Sequence, residues 1–193
     1  MEHQRIPSAH VSGPYGALLK RISTRMFGQV PTPLSVYWHN KQVLKSYLSI
    51  SSKTRRWTAC DEDLKSYAHM AVAALLGCSW CLDLGYFQAH NENLDLDKAR
   101  QVPRWRESDA FTPLERQVLG YAEAMSHAPP TVTDEMSAQL QAELGAPALV
   151  ELTSFISLAN FYARTNVAFG VESDGFAASC GLPPLASATE VSD

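Results

Sequence analysis

Residues 74–90 read ALLGCSWCLDLGYFQAH, and the change of pattern within this stretch decides the expected fold. The preceding segment, 64–76, is apolar on most faces and rich in alanine, which predicts a buried helix that its neighbours can approach closely. Gly77 interrupts this helix, and a second helix is predicted to begin at Cys78 and Cys81. The two cysteines are therefore a redox pair, half of a metal site, or two small apolar residues of a core.

A helical period of 3.6 residues recurs along the rest of the chain, and no convincing alternating strand pattern is found. The clearest start signal is Thr112, which forms a capping box with Glu115 ahead of an apolar helical face. Segment 147–169 carries two apolar stripes, which is typical of a helix that is central or buried against another subunit. The sequence therefore predicts an all-α helical bundle.

The chain has 193 residues, which is enough for one core or two small lobes, and its composition is that of a globular protein. We expect a single helical domain over 1–193, because no domain boundary, internal repeat or low-complexity segment is visible. If two lobes exist, the link between them is expected around 91–105. The tails at 1–13 and 182–193 are expected to be loose.

The net charge of -4 gives no electrostatic footprint for nucleic acid or for an anionic membrane. No stretch approaches the roughly 18 consecutive apolar residues of a membrane helix, and the first residues lack the apolar region of a secretory signal. We therefore expect a cytoplasmic protein without a nucleic-acid partner, a membrane, a metal or a cofactor. Thiols are kept reduced in that compartment, where a Cys-x-x-Cys is more often catalytic or metal-binding than structural.

Three other interpretations of the cysteine pair compete with a redox role. Free cysteines are often buried and inert. Structural zinc needs four ligands, but Cys60 and Cys180 are unpaired in sequence, and His69 and His90 do not have finger spacing. A thioredoxin fold needs strands that this chain lacks. The redox interpretation is favoured because a Cys-x-x-Cys ring closes easily and a helix N-terminus lowers the pKa of a thiol.

The sequence resembles the carboxymuconolactone decarboxylase superfamily and, within it, the AhpD-like alkylhydroperoxidases. The resemblance runs from about Leu34 to Phe176 and is carried by LLGCSWC, FTPLERQVLGYAEAM, VTDEMSAQL and VELTSFISLANFYARTN. It implies an all-helical fold assembled as a trimer or hexamer, and reduction of a hydroperoxide by the cysteine pair, which a dithiol reductant then resets. It also implies that Cys81 attacks and Cys78 resolves, whereas the helix dipole favours Cys78 as the more acidic thiol. We lean to Cys81.

Two positions depart from the pattern of the AhpD-like enzymes. Gly85 stands where their motif has a histidine, and Ser66 stands where it has a glutamate. Loss of a positioned base costs on the order of 10²–10⁴ in rate. The candidates for a proton relay or pocket are therefore His69, Ser66, Trp80 and Tyr86.

None of the possible substitutes is placed without ambiguity by the sequence. His69 precedes Cys78 by nine residues, on the opposite side of a regular helix, so it helps only if the chain bends between them. Glu62 or Asp63 replaces the missing carboxylate only if the alignment slips by a turn, and both equally suit a helix N-terminus. His90 is too far along the chain, and the charge of Asp83 would oppose thiol ionisation.

Three functions follow from these residues. The first is a thiol-dependent peroxidase or disulfide oxidoreductase. The second is a lyase like the lactone decarboxylases of the same fold, which would need basic groups to hold a carboxylated substrate. Arg164 could clamp a carboxylate, but we expect it to pair with a nearby acid instead. The other basic residues near the motif are Lys98, Arg100, Arg104 and Arg106. The third is a non-catalytic oligomer that responds to disulfide formation.

Overall fold

A computed structural model describes residues 4–186, and within this range every regular element is helical. The α-helices are α1 Gly13–Phe27, α2 Thr32–Tyr37, α3 Lys41–Thr54, α4 Glu62–Leu75, α5 Ser79–Asn91, α6 Leu96–Ala99, α7 Pro113–Ser126, α8 Asp134–Leu144, α9 Ala146–Phe169 and α10 Phe176–Ser179. A 3-10 helix, Val102–Glu107, lies between α6 and α7. The all-α prediction is confirmed. None of the helices over 4–186 is long and apolar enough to cross a bilayer.

The helix boundaries follow the signals in the sequence. The Thr112 side chain accepts a hydrogen bond from the Glu115 backbone N–H at 3.3 Å, and the Glu115 carboxylate accepts one from the Thr112 N–H at 2.7 Å. This is the predicted capping box at the start of α7. Thr133 caps α8, which ends at Gly145 with φ of 78°. Such a φ suits glycine, so α9 can begin in a new direction at once.

Helix α4 is the centre of the main core and packs against α5, α7 and α9. Its alanines and Met70 are almost completely buried, so neighbouring helices approach its backbone closely. At Gly77 the chain adopts φ of 68°, a left-handed conformation that ends α4 and turns the chain into α5. Helix α5 therefore packs back against α4 instead of continuing it.

A smaller apolar cluster joins the N-terminal helices. Gly16 of α1 lies against Trp38, where an added Cβ would come within 3.1 Å of the indole ring. The backbone N–H of Arg5 donates to the carbonyl oxygen of Phe169 at 2.9 Å, and the Arg5 guanidinium donates to that of Val167 at 2.6 Å. The segment before α1 therefore covers the C-terminal end of α9.

The segment after α9 returns across α5. The carboxylate of Asp83 accepts hydrogen bonds from the Ser173 hydroxyl and from the backbone N–H groups of Phe176 and Ala177, at 2.7 to 2.9 Å. Further on, the Ala186 N–H donates to the Arg100 carbonyl oxygen at 2.9 Å. The part of the C-terminal tail from 182 to 186 thus has contacts with the body, and the remainder of that tail and residues 1–3 lie outside the described residues.

Candidate functional site

The two cysteines of the motif form a bonded pair at the junction of α4 and α5. Their sulfur atoms lie 2.09 Å apart, and their Cα atoms are separated by 5.3 Å. Each residue is only 1% exposed. The other two cysteines are free, and burial raises the pKa of the Cys60 thiol to about 11, which leaves Cys60 protonated near neutrality. Cys78 and Cys81 are therefore the bonded pair, while Cys60 is a buried free thiol and Cys180 an exposed one.

Cys78 also begins helix α5. It is the N-cap residue, and its sulfur accepts a hydrogen bond from the backbone N–H of Cys81 at 3.3 Å. The free N–H groups of a helix N-terminus carry a partial positive charge. The sulfur of Cys78 thus lies where a negative charge is stabilised, as the sequence predicted.

Asn166 approaches the second sulfur from α9. Its Nδ2 lies 3.5 Å from the Sγ of Cys81, and the residue is 1% exposed. Its Oδ1 is buried and accepts no hydrogen bond within the described residues. The sequence analysis missed this contact, although a signal existed. Asn166 continues the spacing of the apolar stripe of α9 formed by Leu152, Ile156, Ala159 and Ala163, where a polar residue is out of place.

His69 occupies the space beside Gly85 because the chain bends at Gly77. A Cβ built on Gly85 would lie 3.2 Å from the Nδ1 of His69 and 2.8 Å from the Cγ of Met70. Gly85 follows Cys81 by four residues in α5, so both lie on one face of that helix. Burial lowers the pKa of His69 to about 4, which keeps the imidazole neutral near pH 7. An imidazole from α4 therefore lies beside the position where the AhpD-like motif has its histidine.

Comparisons with known proteins identify the family of this chain. The model of the carboxymuconolactone decarboxylase family matches residues 42–124. The uncharacterized protein YnjA of Escherichia coli (strain K12) is 32% identical over 162 residues, which cover 82% of this chain and 86% of YnjA. The chain belongs to the carboxymuconolactone decarboxylase family.

Solved structures share the fold at low sequence identity. An uncharacterized peroxidase-related protein from Silicibacter sp. TM1040 matches with a TM-score of 0.78 and 14% identity, over 91% of this chain and 95% of that one. A cysteine-to-alanine variant of the debrominase Bmp8, in complex with 2,3,4-tribromopyrrole, matches with a TM-score of 0.77 and 18% identity. The match covers 92% of this chain and 95% of that one. A peroxidase-related protein from Ralstonia eutropha JMP134, described as an alkylhydroperoxidase AhpD core, matches with a TM-score of 0.66 and 16% identity. The match covers 88% of this chain and 96% of that one.

Two of the other residues proposed for the AhpD-like site face the C-terminal segment. The indole N–H of Trp80 donates to the Oδ2 of Asp174 at 2.7 Å, and its ring packs edge-on against Phe176. Tyr86 lines a pocket of about 390 Å³ between α5 and residues 173–185. Burial raises the pKa of Tyr86, and its hydroxyl has no hydrogen-bond partner in the described part of the chain. Ser66 lies half-buried on α4, one turn before His69.

The acidic alternatives have other partners. Glu62 is exposed and forms an ion pair with Lys65 at 2.8 Å, while Asp63 is exposed in the first turn of α4. Asp83 is bound by the segment after α9, and His90 lies exposed in the last turn of α5. None of these four is found in hydrogen-bond contact with the cysteine sulfurs among the described residues.

The basic groups that a lyase would need are largely occupied. The guanidinium of Arg164 donates to the carbonyl oxygen of Ser126 at 2.5 Å and to the Oδ1 of Asn160 at 3.3 Å. Within residues 4–186 the expected pairing of Arg164 with an acid is therefore not found. Ion pairs join Lys98 to Glu115, Arg104 to Glu107 and Arg106 to Glu123. Over residues 4–186, no group of three or more histidine, cysteine or acidic side chains is arranged to hold a metal.

Proposed function

We propose that this protein is a thiol-dependent peroxidase that reduces hydroperoxides with its Cys78–Cys81 pair. The observation that carries the proposal is the position of the two sulfurs within bonding distance at the start of α5, inside an AhpD-like fold. A pair at this distance can alternate between dithiol and disulfide without rearrangement of the helices around it. The surrounding groups then decide which sulfur attacks and how protons move.

The proposed reaction has two steps. The thiolate of Cys81 attacks an oxygen of the peroxide, the O–O bond breaks, and the departing oxygen takes a proton and leaves as an alcohol or water. Cys81 is then a sulfenic acid. The thiolate of Cys78 attacks the sulfur of Cys81, and the hydroxyl leaves with a proton as water. One peroxide is reduced, two thiols become one disulfide, and a separate dithiol reductant restores the pair by exchange.

We assign the proton relay to His69. Its neutral imidazole takes the proton of the Cys81 thiol and returns it to the departing oxygen. The low basicity of a histidine with a pKa of about 4 makes it a weaker base than an ordinary histidine, so the expected turnover is slow. We assign Trp80 and Tyr86 to the wall between α5 and the C-terminal segment, and Ser66 to the lining beside His69.

The burial of both sulfurs limits the substrate. A peroxide must pass through the surrounding side chains to reach a residue that is 1% exposed. We therefore expect hydrogen peroxide to react faster than a bulky aromatic hydroperoxide. We place the protein in the cytoplasm, where dithiol reductants are available to reopen the disulfide.

We also propose that the protein is a homo-oligomer, a trimer or a hexamer. Helix α9 exposes Val150 by 66% and Phe161 by 46%, and α1 exposes a row of large apolar side chains that includes Leu18 and Met26. Such faces on a single chain are typical of surfaces covered by another subunit. Mass measurement in solution, with Phe161→Asp as the variant, tests this, and a wild-type monomer at micromolar concentration contradicts it.

The test of the peroxidase uses the placement of the cysteines in tryptic peptides. Cys78 and Cys81 fall together in the peptide 66–98, whereas Cys60 and Cys180 fall in two other peptides. Stoichiometric hydrogen peroxide added to the reduced protein should remove two thiols per chain and lower the mass of peptide 66–98 by two hydrogens. Cys78→Ser should leave a sulfenic acid at Cys81 that a dimedone probe traps. Unchanged thiols after prolonged exposure would exclude the peroxidase.

A second candidate is reductive dehalogenation by the same thiols. It is favoured by the likeness to the debrominase Bmp8, which is seen with a brominated pyrrole. In that reaction an aromatic C–Br bond becomes C–H, bromide leaves as hydrogen bromide, and the two thiols become a disulfide. Bromide release from 2,3,4-tribromopyrrole, without comparable consumption of peroxide, would favour it.

Two other outcomes would favour the remaining alternatives. A decarboxylation that survives Cys78→Ser with Cys81→Ser would favour the lyase. A disulfide that changes only the oligomer mass would favour the non-catalytic sensor.

A further inference from the structure

We infer that Asn166 is a catalytic residue whose amide N–H donates a hydrogen bond to the thiolate of Cys81 and thereby selects Cys81 as the attacking sulfur. This inference rests on the proposed thiol chemistry and adds to it a residue outside the Cys-x-x-Cys motif. The contact joins α9 to α5 across 85 positions of sequence. It brings a polar group from the longest helix of the fold to one of the two reacting atoms.

The surroundings of Asn166 give its amide few alternatives. The side chain is 1% exposed and continues the apolar stripe by which α9 packs into the core. A buried amide without partners costs free energy, so a hydrogen bond from its Nδ2 to the sulfur of Cys81 offsets part of the cost of burying it. In the disulfide state the sulfur of Cys81 is a weak acceptor and Oδ1 has no partner within the described residues.

Reduction of the pair changes the acceptor that faces the Nδ2 of Asn166. A thiolate on Cys81 is a charged acceptor, and hydrogen bonds to charged groups are stronger than those to neutral ones. The amide N–H of Asn166 thus has a better partner in the reduced protein than in the oxidised one. We expect it to favour the thiolate of Cys81, which is the reactive form.

The two sulfurs would then be activated by different groups. Cys78 accepts the backbone N–H of Cys81 at the helix N-terminus, while Cys81 accepts the side-chain N–H of Asn166. The helix dipole alone favours Cys78. A donor directed at Cys81 offsets that preference, and it explains how the second cysteine can attack. Removing the Asn166 donor should therefore weaken Cys81 without affecting Cys78.

The experiment measures the thiol pKa of each cysteine separately, by the ultraviolet absorbance of the thiolate, in Cys78→Ser and in Cys81→Ser proteins. In the Cys78→Ser protein, Asn166→Leu should raise the pKa of Cys81 by at least about 1.0. The alkylation of Cys81 by iodoacetamide near pH 7 should then be roughly ten-fold slower. The pKa of Cys78 should stay within experimental error. Asn166→Asp keeps the size of the side chain and places a negative charge at the sulfur, so it should raise the pKa of Cys81 further.

A control from the same helix is available. Asn160 is six residues earlier in α9, and its amide binds the Ser126 hydroxyl at 2.9 Å and the Ile156 carbonyl oxygen instead of a sulfur. Asn160→Leu should leave the pKa of Cys81 unchanged, and circular dichroism verifies the fold of each variant. An unchanged or lowered pKa of Cys81 in both folded Asn166 variants would overturn the inference. Because the titration needs no peroxide, that result is distinct from a failure of the wild-type protein to reduce peroxide.

Discussion

Replacing Gly85 by alanine tests whether side chains of α4 already fill the space beside helix α5. The new Cβ would lie 2.8 Å from the Cγ of Met70 and 3.2 Å from the Nδ1 of His69. Met70 is fully buried and the contact is with a carbon near its backbone, so relief requires a shift of the core. Such overpacking costs about 1–3 kcal/mol. The gain from replacing glycine by alanine inside a helix is about 1 kcal/mol, so we expect a net loss of up to about 2 kcal/mol.

Gly120 supplies the matched control in α7. A Cβ there would lie 3.7 Å from the ring of Trp105 and 4.0 Å from the Cε of Met136, which are ordinary contacts. Gly120→Ala should therefore stabilise the protein by about 0.5–1 kcal/mol. Urea unfolding of both variants, with equal slopes, gives the difference between them, expected to be about 1–3 kcal/mol.

The same pair of variants tests the position of His69. If its ring is part of the obstruction, His69→Ala should reduce the cost of Gly85→Ala in a double-mutant cycle, because one of the two crowded atoms is gone. It should have no such effect on Gly120→Ala. If Gly85→Ala stabilises the protein as much as Gly120→Ala does, the imidazole does not lie beside α5 and the proposed relay loses its support.

Three further predictions concern buried charged or polar groups. Burial lowers the pKa of His69 to about 4, so between about pH 6.5 and 4 the unfolded chain binds a proton that the folded chain does not. The free energy of unfolding should therefore fall as the pH drops through this range. His69→Gln should flatten this pH dependence, measured as the midpoint of urea unfolding. Burial opposes the ionisation of Glu151, but the hydrogen bonds from Lys65 and two backbone N–H groups outweigh it and hold the pKa of Glu151 below its ordinary value. The stabilisation is present above an unfolded pKa of about 4.5 and is lost in acid. Lys65→Met should therefore cost about 1.5–3 kcal/mol of unfolding free energy at pH 7, the range for a hydrogen bond to a charged group, and less at low pH. Asp83→Ala should remove three hydrogen bonds to the C-terminal segment, cost about 3 kcal/mol and speed chymotryptic cleavage at Phe176, whereas an unchanged cleavage rate would contradict that role.

The helical architecture was predictable because its signals are local. Capping by Thr112 and Thr133, and the breaks at Gly77 and Gly145, depend on residues within one turn of the boundary that they set. The position of the cysteine pair was predictable for the same reason, since two cysteines three residues apart at a helix start are neighbours in space.

The groups around the pair could not be placed in this way. The contact of Asn166 with Cys81, and the proximity of His69 to Gly85, depend on how α9 and α4 pack against α5. Periodicity gives the face of each helix but not its register against a neighbour. From the sequence, His69 could approach the motif only if the chain bent at Gly77, and the positive φ at Gly77 supplies that bend.

The sulfur of Cys78 both caps helix α5 and pairs with Cys81, which matters for the choice of a replacement residue. Because the Sγ of Cys78 accepts an N–H of the first turn, alanine at this position would remove a helix cap together with the redox group. Serine, a favoured N-cap residue, would keep the cap. The two variants should therefore be equally inactive, but their free energies of unfolding should differ by about 1 kcal/mol. With the alanine variant alone, loss of activity from a frayed helix could not be distinguished from loss of the reacting sulfur.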